Sequence, residues 1–278
     1  MRDTIRLACV QMTSRADKAA NLESAERLVA RAASTGAGIV VLPEKWNAIG
    51  DVKTLHAAAE PIDGGESAEA MSAWAERHGI TLVGGSITER RKGREKLSNT
   101  CLVFGPDGSL GAVYRKIHLF DVEVGGHVYR ESEAEEPGDE PVVAEADGWV
   151  LGLSICYDVR FPELYRVLAL EGADVLTVPS HFTLHTGRDH WEVLLRARAI
   201  ENHCYVAAAA QIGETRPGKP SYGRSLIADP WGLVLAQAPD EEGVVAADLD
   251  HRRLADVRAS LPSLASRRPA AYRSSASV

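Results

Sequence analysis

The run Ile39-Val-Val-Leu-Pro-Glu44 returns as Val175-Leu-Thr-Val-Pro-Ser180, and Cys101-Leu-Val-Phe-Gly-Pro-Asp-Gly108 returns as Ser225-Leu-Ile-Ala-Asp-Pro-Trp-Gly232. Chance can produce one such echo. Two in the same order indicate a chain built twice over, as β-α-β-α-β-β units related by a pseudo-twofold axis. Short apolar runs closed by Pro or Gly read as buried strands, because a strand covered on both faces has no polar side to show. Two sheets packed face to face with helices outside would place both units in one core. The carboxyl ends of the strands that lead to Glu44 and Cys156 could then meet at one site.

In the first unit, residues 5–11 read as a strand and residues 21–33 as an amphipathic helix with Leu22, Ala25, Leu28, Val29 and Ala32 on one face. A strand over 39–42, a helix over 67–78 closed by Gly79 and a strand over 80–87 follow. Residues 100–104 and 110–114 flank a Gly-Pro-Asp-Gly turn as a hairpin. Residues 120–141 are acidic, contain Gly and lack a period, so they read as a long loop of the kind that is usually functional. The second unit has a strand over 149–155 and a helix opened by Pro162 with Leu164, Val167, Leu168 and Leu170 at helical spacing. A strand over 175–179, a helix over 190–202, a strand over 204–211 and a hairpin come next. A strand over 243–248 and a short helix from about His251 to Arg258 close the fold. One domain is expected over residues 1–261. Residues 262–278, rich in Ser, Pro and Arg, are expected to contact a partner or stay mobile.

With 278 residues, 45% of them hydrophobic, the chain can bury a full core. A formal charge of −8 without a basic stripe argues against a nucleic-acid partner. No apolar run approaches the roughly 20 residues that span a bilayer, so no membrane partner is expected. The start, Met1-Arg2-Asp3-Thr4, runs straight into a strand and shows no signal peptide. Cys9, Cys101, Cys156 and Cys204 are isolated and form no CxxC, which fits a reducing cytoplasm.

Cys156 lies where a buried strand turns sharply into the Pro162 helix, and there side chains face a crevice rather than the core. A lone cysteine in such a run is more often an inert buried thiol, and it is the charged residues elsewhere that tip the balance. A thiol nucleophile needs a base and a positive charge where an oxyanion forms. Glu44 is a lone carboxylate at a strand end, where burial would raise its pKa toward that of a useful base, although a solvated loop glutamate is the commoner case. Lys116, in Tyr114-Arg-Lys-Ile-His-Leu-Phe-Asp121, could hold an oxyanion or be a surface charge. Glu131 is the least distinctive, among many acids.

Together these residues resemble the nitrilase superfamily of carbon–nitrogen hydrolases. The resemblance rests on Leu42-Pro-Glu44, Tyr114 to Asp121 and Ser154-Ile-Cys-Tyr-Asp-Val-Arg-Phe-Pro-Glu-Leu164, in that order. It continues through His190-Trp-Glu-Val-Leu-Leu-Arg-Ala-Arg-Ala-Ile-Glu201 and Tyr222-Gly-Arg-Ser-Leu-Ile-Ala-Asp-Pro-Trp-Gly232. It implies an α/β fold, a four-layer α-β-β-α sandwich with two pseudo-equivalent halves, and a homodimer or higher homo-oligomer. It also implies a triad with Cys156 as nucleophile, Glu44 as general base and Lys116 on the oxyanion. The backbone N–H of Tyr157 would assist Lys116, and Glu131 would orient the triad and substrate. No cofactor or metal is implied, and His181, His185 and His190 lack the i, i+4 spacing of a zinc helix.

Phe161-Pro162, Leu195-Arg-Ala-Arg-Ala-Ile-Glu201 and the Ala-rich strand ending at Gln211 resemble most the branch of deaminated glutathione amidases and ω-amidases. The expected reaction is hydrolysis of a small-molecule amide, an ω-amide of a keto acid, to carboxylate and ammonia through a cysteine thioester. Alternatives are a carbamoyl-amine hydrolase or nitrilase using the same triad, or a catalytically idle binding or scaffold member. A keto acid needs a cation. Arg160, Arg188 and Arg224 are the arginine candidates, with His181 and Phe182 as further substrate-binding candidates. Arg188 is the preferred one, expected in a loop opposite Glu44.

Overall fold

The computed structural model describes residues 3–272. The first half opens with β1 (Thr4–Gln11), α1 (Lys18–Ser34), β2 (Ile39–Val41), α2 (Val52–Ala58) and α3 (Glu66–His78). It continues through β3 (Thr81–Val83), β4 (Ile87–Glu89), β5 (Ser98–Phe104) and β6 (Leu110–Arg115). A ribbon of β7 (Asp121–Val124) and β8 (His127–Arg130) precedes the second half. There β9 (Val143–Ala146), β10 (Trp149–Leu153), α4 (Pro162–Leu170), β11 (Val175–Thr177), α5 (Leu184–Asn202) and β12 (Tyr205–Ala208) follow. A second ribbon, β13 (Ile212–Arg216) and β14 (Lys219–Tyr222), leads into β15 (Leu226–Ala228) and β16 (Val234–Gln237). The described elements end with β17 (Gly243–Asp250), α6 (His251–Ser260) and a 3₁₀ turn at Pro269–Tyr272.

Two sheets form. One runs β17-β1-β2-β3-β5-β4, with β6 on β5, and the other runs β16-β15-β12-β11-β10-β9. Each has three parallel strands at its centre, β1-β2-β3 and β10-β11-β12, flanked by antiparallel neighbours. The period-2 rule then sorts the side chains. Leu7, Cys9, Val41, Val83 and Val103 share a cluster with Leu151, Leu153 and Val175 of the other sheet. The intervening Ala8, Val10, Val40, Leu82 and Leu102 meet Leu28, Val29, Met71 and Trp74 of α1 and α3. Thus α1 and α3 cover one sheet, α4 and α5 the other, and the two sheets meet between them in an α-β-β-α sandwich. Leu164, Leu168 and their neighbours Tyr165 and Ala169 form the buried face of α4, whereas Val167 and Leu170 are exposed.

Three expectations change. The run 80–87 is two strands, because Gly85 turns the chain at φ +58°, where an added Cβ would lie 2.1 Å from the carbonyl oxygen of Pro43. Only glycine lets this turn nest under the Pro43-Glu44 segment. The acidic stretch after Phe120 is not a bare loop. Val122 and Val124 alternate with polar residues up to Gly125-Gly126, both at positive φ, as a two-residue hairpin turn requires. Helix α5 starts at Leu184, capped by Thr183, so Arg188 is helical and not in a loop. Gly187 inside this helix serves close packing: a Cβ there would sit 2.2 Å from Cγ of Tyr222 on β14. Of the tail expectation, residues 261–272 are largely exposed and residues 273–278 lie outside the described residues. No described helix is long and apolar enough to cross a membrane.

Gly187→Ala is expected to destabilise the fold by about 1–3 kcal/mol through overpacking, seen as a lower denaturation midpoint at unchanged slope. Adding Tyr222→Ala should recover part of that loss if this contact is its cause.

Candidate active site

Beyond β2 the chain turns inward through Leu42-Pro43, and the segment is pinned at several points. Lys45 N–H donates to Ser86 Oγ (2.9 Å), Trp46 Nε1 to the Gly84 carbonyl (2.8 Å), and Gln211 Nε2 to the Glu44 carbonyl (3.0 Å). Lys45 adopts φ +50°, a left-handed conformation that costs a non-glycine residue energy. Glu44 is thereby buried with its carboxylate held: Asn99 Nδ2 and Lys116 Nζ both donate to Oε1 at 2.9 Å.

Lys116 follows β6 and is 1% exposed. Its ammonium also donates to Glu131 Oε2 at 2.7 Å, and the same oxygen accepts the Phe120 N–H at 2.8 Å. Lys45 extends the network, 3.4 Å from Glu131 Oε1 and 2.8 Å from Glu135 Oε1. Two buried carboxylates, Glu44 and Glu135, and the half-buried Glu131 thus surround two buried ammonium groups.

Cys156 comes from the other half. It opens the 3₁₀ turn Cys156–Arg160 at φ +50°, with its N–H donating to the Pro179 carbonyl at 2.8 Å. Its thiol lies close enough to the Glu44 carboxylate for each to shift the other's proton affinity, and the His181 backbone N–H is also near the sulfur. Asp158 locks the turn to the strand that carries Lys116. Its Oδ2 accepts Tyr114 Oη (2.7 Å) and the Ile155 N–H (2.8 Å), while Oδ1 accepts the His118 N–H (3.1 Å) and meets His118 Nδ1 at 2.7 Å.

Charge decides the protonation states. Burial pushes the Cys156 thiol well up, the Glu44 carboxylate adds to that, and Lys116 opposes it, so the resting sulfur keeps its proton. Burial would also push Glu44 up, but Lys116, Lys45 and the Cys156 thiol outweigh burial and the repulsion from Glu131. The carboxyl is held below its usual value, opposite to the expectation from burial alone. Glu131 is likewise driven down despite burial, by Lys116 and Lys45. Burial disfavours the Lys116 ammonium, yet Glu131 and Glu44 hold it charged, well above its ordinary range. Glu135 goes the other way: burial raises it and Lys45 only partly compensates. His181, lowered to about 4 mainly by burial, is neutral at pH 7. Of the four cysteines, Cys9, Cys101 and Cys204 are raised chiefly by burial and have neither a base nor a cavity.

A cavity of about 280 Å³ opens onto Glu44, Cys156 and Glu131. Lys45, Tyr157, His181 and Phe182 also line it, as does Arg160, whose guanidinium lies over the rings of Tyr157 and Phe182. Lys116 does not line it; it sits behind the two carboxylates. Arg188 is exposed on α5 away from the cavity, and Arg224 pairs with Asp240 at 2.7 Å, also away from it. Residues missed by the sequence reading are Lys45, Asn99, Glu135, Asp158, Arg216 and Lys219. Among the described residues no three His, Cys, Asp or Glu side chains converge as a metal site. The arrangement can deprotonate a thiol inside a cavity, with a buried cation behind the base.

A family model described as carbon–nitrogen hydrolase matches residues 6–259. The chain is 44% identical to the omega-amidase NIT2 of Xenopus tropicalis over 268 residues, 96% of each chain. It superposes on the crystal structure of Saccharomyces cerevisiae Nit3, a nitrilase-superfamily member, with a TM-score of 0.87 at 32% identity, covering 94% of this chain and 96% of that one. An amidase from Nesterenkonia sp., described with acrylamide added at its active-site cysteine, is 30% identical with a TM-score of 0.77, covering 93% and 98%.

Removing Lys116 leaves Glu44 and Glu131 buried without their cation, so Lys116→Met should cost about 3–5 kcal/mol at neutral pH. The folded pKa of Glu131 is depressed, so its contribution is complete above about pH 4.3 and is lost as pH falls toward the folded value. His181 acts in the same sense between about pH 6.5 and 4, because the unfolded chain binds its proton first. Glu135 works with the opposite sign, its raised pKa favouring the fold at low pH. Urea denaturation as a function of pH should show a falling acid limb in the parent and a flatter one in Lys116→Met.

Proposed function

The chain belongs to the carbon–nitrogen hydrolase family, and on that premise we propose that it hydrolyses the ω-amide of a small keto acid by way of Cys156. Amide hydrolysis of the nitrilase type is the activity its family and relatives support. The observation that carries the assignment of residues is the Cys156 thiol beside an ionised Glu44 at the wall of one cavity, with Lys116 donating to the same carboxylate from behind it. An idle binding protein has no need of that trio. The amidase chemistry of its relatives favours an amide over a nitrile or a carbamoyl amine.

In this reading the amide carbon meets Cys156 Sγ while Glu44 takes the thiol proton. As the C–S bond forms, the carbonyl electron pair moves to oxygen, where the Tyr157 N–H and Lys116 stabilise it. Lys116 starts on Glu44, and protonation of that carboxyl weakens its hold and frees the ammonium to turn toward the oxyanion. Collapse breaks the C–N bond and Glu44 returns its proton to nitrogen, so ammonia leaves and a thioester remains. Water then attacks the thioester, giving one proton to Glu44, and the acid departs as that proton returns to sulfur. Glu131, fixed by Lys116 and the Phe120 N–H, positions both the cation and the substrate. The domain is taken as residues 1–261. The enzyme is assigned to the cytoplasm, consistent with four unpaired thiols, and to a homodimer, consistent with exposed Trp231, Leu233 and Val193 and an exposed Tyr272 in the tail.

Ammonia release should be measured across keto-acid ω-amides, neutral amides, nitriles and carbamoyl amines. The keto-acid amides are expected to give the highest kcat/KM. Cys156→Ala should abolish turnover and leave the thermal transition within a few degrees of the parent. Residual activity above a few per cent of the parent in the purified variant would remove Cys156 from the mechanism, and a preference for nitriles would overturn the substrate class.

A further inference from the structure

The tip of the β13–β14 ribbon places Arg216 directly opposite Lys219 in register. Directly opposed residues of an antiparallel pair project to one face, and like charges there are destabilising, by roughly 0.2–1 kcal/mol. Neither has an ion-pair partner among the described residues. The Arg216 side chain makes no hydrogen bond among the described residues, and its Nε is buried without any acceptor. Lys219 rests over the ring of Tyr129 at 5.1 Å. Both line the cavity that contains Cys156. A half-buried, unpaired guanidinium opposite an ammonium is an arrangement that a negative group arriving between them would relieve.

Their place relative to the reacting atoms follows from His181. Its Nε2 lies 2.9 Å from Thr215 Oγ1, next to Arg216, and its ring feels both Glu44 and Arg216. The imidazole therefore neighbours both the base and the segment that carries the guanidinium. Of the acids that also line the cavity, Asp51 caps α2 through Thr54, Glu131 pairs with Lys116 and Glu135 pairs with Lys45.

We propose that Arg216 and Lys219 form the carboxylate clamp of this enzyme, gripping the acid end of the substrate while the amide lies at Cys156. This rests on the keto-acid reading above and replaces Arg188, which lies outside the cavity, as the recognition cation. Arg160 is a poorer candidate because its guanidinium already meets His190 Nδ1 at 3.2 Å. A clamp in the same cavity as the base selects a short acid. Longer substrates would have to carry their additional length on the leaving-group side.

The test compares a keto-acid ω-amide with its methyl ester, in the parent and in Arg216→Gln and Lys219→Gln. In the parent the acid should have the higher kcat/KM. Each variant is expected to lower the acid-to-ester ratio of kcat/KM roughly 10- to 100-fold, mostly through KM. Inhibition by the keto diacid product should weaken in parallel. Because each substitution relieves a like-charge opposition, neither should lower the thermal transition, which separates loss of recognition from loss of fold. If the parent prefers the acid and both variants keep the full ratio, the clamp is wrong and the keto-acid reading stands. A parent that shows no preference for the acid overturns both.

Discussion

A lysine ammonium sealed from water between two carboxylates governs this structure. Lys116 costs several kcal/mol to desolvate, and only the convergence of Glu44 and Glu131 on its nitrogen offsets that. Apolar side chains of similar volume would stabilise such a spot at least as well. The cluster is therefore better understood through what it does to neighbouring protons. It keeps Glu44 ionised at the centre of the protein, where an isolated carboxyl would take up a proton, and so maintains a base beside a thiol. Lys45 and Glu135 enlarge the same network, and the strained backbone at Lys45 shows that the fold accepts a local penalty to aim that side chain inward.

The sandwich is what brings the cluster to the sulfur. All members of the acid–lysine network come from the first half, and Cys156 comes from the second. Each half ends its parallel strands at the same side of the sheet pair, so the turns after β2 and β10 face one another. Asp158 makes that encounter rigid. Its buried carboxylate collects donors from its own turn and from the segment around Lys116, linking nucleophile and cation without touching the cavity. Gln211 does the corresponding job for Glu44, tying its backbone to Ser14 and to the strand that crosses from the second half.

Much of this could be read in the sequence, and where it could not the reason is physical. Buried parallel strands announce themselves as apolar runs, and a polar residue at their end stands out, which is why Glu44 and Cys156 were found. Asp158, Asn99 and Glu135 carry no such mark: their neighbours are polar and their partners lie far along the chain. The sign of the Glu44 shift was misjudged because burial is visible in sequence and a cation arriving from residue 116 is not. The early start of α5 at Leu184 carries no apolar period to mark it, and Gly187 within it is explained only by Tyr222 pressed against it. The β7–β8 ribbon was missed although Gly125-Gly126 between alternating valines was a usable signal. Arg216 and Lys219 lie in a short ribbon whose register alone gives them meaning.

The protonation pattern has a chemical consequence. Cysteine nucleophiles often rest as thiolates, stabilised by a neighbouring cation or a helix N-terminus. Here the cation belongs first to the carboxylates, the resting sulfur is a thiol, and the proton sits on the less acidic partner. Little thiolate therefore exists at rest, and in the proposed reaction it forms as the carbonyl comes close enough to draw the sulfur electrons forward. The same substrate that draws the sulfur forward drives the proton onto Glu44 and loosens Lys116 from it. In the proposed reaction the base, the nucleophile and the oxyanion partner would thus be released by one event, and the three groups would act as a unit.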